Sequence, residues 1–232
     1  IKRGDKVVAA VAPAFVSQFG ENVTSSQMRE AMRQVGFHKV IEVAVGADMC
    51  TAEEAEDFIK NVPENLPFMA TSCCPSWSVM AKKLFPQFKD YISMAMTPMV
   101  LTARLYKKDH PDVRIVFIGP CTAKKLEASR RTIRSDVDFV LTFEEMQGIF
   151  DAKGIVPSEM PVDPEEEFST GTSLGRGFAV TGGVANAVKE AIKEIDPDRE
   201  VKIERADGLR ECRKMLMMAK AGKYNGYLLE GM

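Results

Sequence analysis

The chain has 232 residues, 45% of them hydrophobic and 28% charged, with a formal net charge of −2. That length buries a sizeable core as one large domain or two lobes, and the near-neutral balance excludes a broad basic surface for nucleic acid or anionic lipid. The longest apolar runs, such as residues 115–118, are far too short to span a bilayer, and Ile1 to Lys6 show no signal-peptide pattern. A cytoplasmic protein with no membrane or nucleic-acid partner is expected. Because residue 1 is not Met, the chain is expected to begin inside a longer protein.

In chain order, Val7 to Ala12 reads as a buried strand. Thr24 and Gln27 form a capping box ahead of an amphipathic stretch that ends at Gly36. Val40 to Val45 reads as a second strand, and Thr51 to Asn61 as a helix whose first turn is acidic, as the helix dipole favours. A short strand at Pro67 to Thr71 is followed by helices at Ser76 to Phe85 and Thr97 to Lys108. Val113 to Ile118 is a buried strand ending in Gly119-Pro120. A strand at Phe139 to Leu141 and a helix at Thr142 to Lys153, closed by Gly154, precede an acidic surface loop at Pro157 to Ser169. A helix at Gly182 to Glu194, a strand at Val201 to Arg205, a helix at Leu209 to Lys220 and a strand at Tyr224 to Leu229 complete the series. Such alternation predicts an α/β fold: two lobes of parallel twisted sheet flanked by helices, with the active site in the cleft between them. The predicted division is residues 1–105 as an N-terminal lobe and 106–232 as a C-terminal lobe. The fourteen methionines are read as core filler, Met215, Met217 and Met218 among them.

The five cysteines are Cys50, Cys73, Cys74, Cys121 and Cys212, an odd number that argues against a disulfide framework and suits reduced thiols. Cys73 and Cys74 sit in Thr71-Ser72-Cys73-Cys74-Pro75-Ser76-Trp77, between a strand and a helix. Adjacent side chains at a strand end face different ways, and Pro75 lets a helix begin with free N–H groups close to a thiolate, which lowers its pKa. A pair of buried inert cysteines explains this string alone equally well. Cys121 lies at a second strand-to-helix switch, Gly119-Pro120-Cys121-Thr122-Ala123-Lys124-Lys125-Leu126-Glu127, where sites gather in open α/β sheets. Lys124 shares the face of Cys121 and Glu127 follows one turn later. On spacing alone these two form a solvated ion pair of little consequence. Cys212 falls within a helical pattern and is assigned to the core. There is no Gly-rich phosphate loop, which counts against a generic nucleotide-binding domain.

Together, Thr-Ser-Cys-Cys-Pro-x-Trp and Pro-Cys-x-x-Lys-Lys-x-Glu resemble the first two signature motifs of [FeFe]-hydrogenases. Val11-Ala12-Pro13-Ala14, Gly46-Ala47-Asp48-Met49 with Glu53-Glu54-Ala55, and Val180-Thr181-Gly182-Gly183-Val184 resemble further family segments, in the family's order. The resemblance implies the iron-only hydrogenase fold and reversible interconversion of protons, electrons and dihydrogen. The family's cofactor is the H-cluster, a [4Fe–4S] cluster joined to a di-iron unit that carries CO, cyanide and a bridging dithiolate amine. By the same resemblance Cys74 and Cys121 are ligands of the [4Fe–4S] cluster and Cys73 is the proton-relay thiol. Lys124 donates to one cyanide, Ala12 and Pro13 line the other, and Gly119 and Met232 border the di-iron unit. Glu54, Asp57 and Ser93 would carry the proton onward, with Glu56 as the alternative to Asp57. A ferredoxin or another iron–sulfur carrier would supply electrons in an anaerobic hydrogen metabolism, and maturation proteins would insert the di-iron unit.

The sequence departs from the family where Gly119 replaces a Met and Met99 an amide side chain. Cys73 favours turnover over a sensory hydrogenase, and over iron–sulfur assembly or partner-binding relatives, which usually lose that thiol. Leu228-Leu229-Glu230-Gly231-Met232 resembles the opening of the third family motif, which carries the last two cluster cysteines. A chain that stops before them, with the cluster incomplete or absent and no activity by itself, is therefore expected.

Overall fold

The computed structural model describes residues 6–162 and 171–232. Its elements run β1 (Val7–Val11), α1 (Ser25–Val35), β2 (Lys39–Glu42), α2 (Ala44–Asn61), β3 (Phe68–Ala70), α3 (Pro75–Leu84) and α4 (Pro98–Asp109). They continue as β4 (Arg114–Gly119), α5 (Ala123–Ala128), β5 (Phe139–Thr142), α6 (Phe143–Lys153), α7 (Ser173–Gly177), α8 (Gly183–Ile195), β6 (Lys202–Ala206), α9 (Leu209–Lys220) and β7 (Tyr227–Gly231). Two parallel sheets result, with strand orders β2-β1-β4-β5 and β3-β7-β6.

The chain does not divide at residues 105/106. One compact unit comprises Ile1–Gly46 and Pro98–Thr172, the other Ala47–Thr97 and Ser173–Met232. The cause lies in strand pairing. Parallel neighbours need a crossover of a dozen or more residues, and here the crossovers carry the chain from one unit to the other and back. β4 returns to pair with β1, Val7 opposite Arg114 and Val11 opposite Ile118. β7 returns to pair with β3, Phe68 opposite Tyr227.

In the first unit all five residues of β1 are buried, as a central parallel strand covered on both faces requires. α1 carries the expected capping box: Gln27 N donates to Thr24 Oγ1 at 3.3 Å and Thr24 N to Gln27 Oε1 at 3.0 Å. Gly36 and Gly154 close α1 and α6 in the left-handed conformation, with φ of 116° and 66°. The acidic loop expected at Pro157 to Ser169 contains a 3-10 turn at Pro157–Glu159, and residues 163–169 of it lie outside the described residues.

α2 is longer than its pattern suggested. It begins at Ala44, so the acidic residues stand in its middle and its first turn has none. Gly46 lies inside the helix. A Cβ there would meet Thr102 Oγ1 at 2.1 Å and Pro98 O at 2.8 Å, so the glycine lets α2 pass close to α4.

In the second unit the sheet is covered on both faces. Phe68, Ala70 and Leu229 join Trp77, Leu216 and Met215 in one apolar cluster. Met69 and Leu228 join Phe58, Val188 and Ile192 in another. The split follows the two-residue alternation of a strand. Cys212 and Met215 are core residues as expected, but Met217 is 58% exposed, because the buried stripe of α9 runs through 212, 215, 216 and 219.

Candidate functional site

The first cysteine string is held by its own tryptophan. β3 ends at Ala70, and Thr71 N still donates to Leu229 O at 2.9 Å. Cys74 is the N-cap of α3, with extended backbone and Pro75 in the first turn, as the pre-organised φ of proline favours. Trp77, 2% exposed, turns back so that Nε1 donates to Thr71 O at 3.0 Å. A Cβ on Gly231 would meet the indole at 2.3 Å, so only glycine lets β7 lie so close. Cys73 and Cys74 are both half-buried. Cys74 packs against the apolar cluster that contains Trp77 and Cys212, and no side-chain hydrogen bond from Cys74 caps α3.

Beside this string lies a buried carboxyl. Glu54 on α2 is 3% exposed. Its Oε1 accepts from Ser72 N at 3.4 Å, and it accepts from the hydroxyl of Ser93. Ser93 is placed by the parallel bridge between Ala70 and Ile92 and by donation of its N–H to Ala70 O at 2.8 Å. Burial pushes the Glu54 carboxyl up to about 7, against the lowering effect of Ser93 and Ser72, and the nearby negative charge of Glu230 adds to the rise. A carboxyl poised near neutrality both takes and gives a proton. Asp57, one turn along α2, is half-buried, whereas Glu56 is exposed. The Asp57 main chain accepts from Asn61 Nδ2 at 2.9 Å.

Glu230 is a residue that motif reasoning passed over. It is 1% exposed and accepts from Gly182 N at 2.9 Å and Ala185 N at 2.7 Å. It therefore satisfies the orphan donors that open α8, although burial still raises its pKa. The available signal was an acidic residue inside an otherwise apolar strand. Met232 stands at the end of the same strand. Its carbonyl accepts from Gly208 N at 2.7 Å, its sulfur lies 3.9 Å from Thr181 Oγ1, and the buried Cys212 thiol donates to its carbonyl at 3.5 Å. Burial pushes that thiol up.

The second cysteine string belongs to the first unit. Cys121 is half-buried, and Ala123 N donates to its sulfur at 3.4 Å. Lys124 Nζ lies 2.8 Å from Glu127 Oε2, with side chains 13% and 2% exposed. The pair is thus buried, which corrects the solvated pair expected from spacing. At the ends of the neighbouring strands, Ala12 N donates to Ile118 O at 2.8 Å and Pro13 opens a buried 3-10 turn. A Cβ on Gly119 would meet the Phe117 ring at 2.5 Å and Ala12 Cβ at 3.3 Å. The Phe117 ring thus fills the space beside Gly119. Gly119 ends β4, and Ala12, Pro13, Cys121 and Lys124 stand beyond the C-terminal ends of β1 and β4, where open α/β sheets place ligands. The first string, with Glu54, Asp57, Ser93 and Met232, belongs to the second unit.

Among the described residues no group of three or more His, Cys, Asp or Glu is arranged to hold a metal ion, and no helix is long and apolar enough to cross a membrane. Residues 5–232 match the family model of the iron only hydrogenase large subunit, C-terminal domain. The chain is similar to iron hydrogenase 1 of Clostridium pasteurianum, at 31% identity over 97% of this chain and 42% of that protein. It is similar to the periplasmic [Fe] hydrogenase large subunit of Nitratidesulfovibrio vulgaris, at 30% identity over 89% of this chain and 56% of that protein. It also resembles cytosolic iron-sulfur assembly component 3 of Rattus norvegicus, at 27% identity over 79% of this chain and 42% of that protein. The chain spans about half the length of these curated relatives. An apo [FeFe]-hydrogenase structure from Chlamydomonas reinhardtii shares the fold, with a TM-score of 0.77 at 24% identity, over 98% of this chain and 77% of that one.

Proposed function

The chain belongs to the family of the iron-only hydrogenase large subunit, C-terminal domain, and from that premise we propose that it forms the H-cluster region of a hydrogenase. The reaction is the reversible reduction of protons to dihydrogen, with a ferredoxin or similar iron–sulfur protein as electron carrier. The observation that supports turnover is the buried Glu54 carboxyl, raised to about 7 and hydrogen-bonded by Ser93, next to a string that retains the Cys73 thiol.

Cys74 and Cys121 would hold the [4Fe–4S] cluster. The residues suit that role in two respects. Cys74 is a helix N-cap with no capping hydrogen bond from its side chain, and the Cys121 sulfur accepts a backbone N–H. Such donors stabilise thiolates and tune clusters. Cys50 and Cys212 do not join them, since both are buried and donate to backbone carbonyls. The H-cluster, when bound, supplies the electron transfer and the hydrogen chemistry, after maturation proteins have inserted its di-iron unit. Lys124 would present its ammonium to an anionic iron ligand, held in place by Glu127. Ala12, Pro13 and Gly119 would line the di-iron unit beside Lys124, and the resemblance gives Met232, at the end of β7, a role toward the same unit. Cys73 would exchange a proton with Glu54, and Ser93 would link Glu54 to Asp57, the half-buried acid on the same helix.

The test is an infrared spectrum of the parent protein matured without oxygen. Bands of iron-bound CO and cyanide are expected, and Cys73→Ala should keep those bands while losing most hydrogen turnover. An iron–sulfur cluster without such bands would instead identify an assembly protein, the second reading that the similarity to cytosolic iron-sulfur assembly component 3 supports. Bands without turnover in the unaltered protein would identify a sensory relative.

A further inference from the structure

The hydroxyl of Ser93 can serve Glu54 only if the irregular segment behind it is fixed. Residues 93–97 belong to no helix or strand, and Met94 is 78% exposed. Two side chains from other parts of the same unit nevertheless tie this segment down. Ser72 Oγ donates to Ala95 O at 3.2 Å, and Cys50 Sγ donates to Met96 O at 2.7 Å. Between them, Ala95 N donates to Ser93 Oγ at 3.1 Å. That last bond occupies an acceptor site on the hydroxyl and leaves its single proton to be donated onward, in the direction of Glu54.

We propose that Cys50 is a positioning residue for the proton relay, holding the segment 93–96 so that the Ser93 hydroxyl stays aimed at the Glu54 carboxyl. The geometry of α2 supports this role for Cys50. It precedes Glu54 by four residues, so the two side chains leave the helix on one face, one turn apart. The helix that carries the carboxyl thereby carries the tether for its hydrogen-bond donor, and the two move together. Cys50 is 4% exposed and acts through its S–H rather than as a metal ligand. The inference rests on the relay assigned to Glu54 and Ser93 above.

The groups acting on Glu54 are defined. Ser72 and Ser93 bond to it, and Glu230 on β7 acts through its charge, while Asp57 lies on Glu54's own helix. Loss of the Ser93 bond removes an interaction that favours the ionised carboxyl, so it must raise the Glu54 midpoint. The experiment is an infrared pH titration of the protonated-carboxyl stretch in this chain without its cofactor, with the band assigned by its loss in Glu54→Gln. The unaltered chain should titrate at about 7. Cys50→Val fills the same space without a donor and should raise the midpoint by about one pH unit, a tenfold change in the ionisation constant. Cys50→Ser keeps a donor and should restore it. Cys50→Ala also lacks a donor and should shift the midpoint in the same direction, and it provides a second probe where Cys50→Val does not fold.

An unmoved midpoint in both Cys50→Val and Cys50→Ala would overturn the proposal. Equal shifts in Cys50→Val and Cys50→Ser would also overturn it for Cys50, since packing alone would then be responsible. The readout needs no iron, so its failure is separate from the absence of CO and cyanide bands that would overturn the hydrogenase function itself.

Discussion

Glu54 and Glu127 are carboxyls buried to nearly the same depth, 3% and 1% exposed, yet the two units treat them in opposite ways. In the first unit Glu127 has a cation, Lys124, at 2.8 Å. In the second, Glu54 has hydroxyl and N–H donors, and a second carboxyl, Glu230, acts on it through its charge. Burial without a partner cation disfavours the charged form, so Glu54 becomes a group that titrates near neutrality. The Lys124–Glu127 pair holds two charges in a fixed place.

The comparison is broken most severely by removing one half of the buried pair. Lys124→Met takes away the cation 2.8 Å from the buried Glu127 carboxylate and should destabilise the protein by about 3 kcal/mol in denaturant unfolding. Lys124→Met combined with Glu127→Met should recover most of that loss.

The next effect has the opposite sign. Burial raises the Glu54 carboxyl from its ordinary 4.5 to about 7, so native Glu54 keeps a proton that the unfolded chain releases between those values. Stability should therefore fall as pH rises through that window, by up to about 3 kcal/mol. Glu54→Gln should flatten this part of the pH profile, leaving the variant more stable than the unaltered chain at pH 8. A profile unchanged by the substitution would show that Glu54 ionises normally.

Smaller again is Glu230→Gln. Glu230 accepts the N–H groups of Gly182 and Ala185, one on each oxygen, and that of Val184 as well. An amide replaces one oxygen with a donor, orphaning one N–H at a cost of roughly 1–3 kcal/mol. Loss of the negative charge should also lower the Glu54 midpoint, which the same infrared titration reads. The smallest effect on stability is expected on the outer part of α2. Asp57→Asn and Glu56→Gln should each lie within about 0.5 kcal/mol, but only Asp57→Asn should slow hydrogen turnover in the matured protein. Equal slowing by Glu56→Gln would remove Asp57 from the relay.

Local features were readable from the residues. The capping box of Thr24 and Gln27 and the glycine ends of α1 and α6 are short-range hydrogen-bond and φ requirements, so the pattern contains them in full. The strand-to-helix placement of Cys74 and Cys121 follows from Pro75 and from the apolar runs ahead of each string. Features that depend on distant neighbours were not readable. α2 passes through Gly46 because Thr102 and Pro98 lie against it. β7 runs on to Gly231 because β6 continues to pair with it past the end of β3, Arg205 opposite Glu230 and Ala206 opposite Gly231.

By itself, then, the sequence determined the α/β class, the order of the elements and the two cysteine strings, since each is written in contiguous residues with their own periodicity and caps. Tertiary structure alone decided where the units divide, because parallel partners are chosen across crossovers that no local pattern records. It also decided which charges are buried. Spacing placed Lys124 beside Glu127 and Glu54 on a helix face, but only the packing of neighbouring elements excluded water from both and so made one a fixed ion pair and the other a titrating acid.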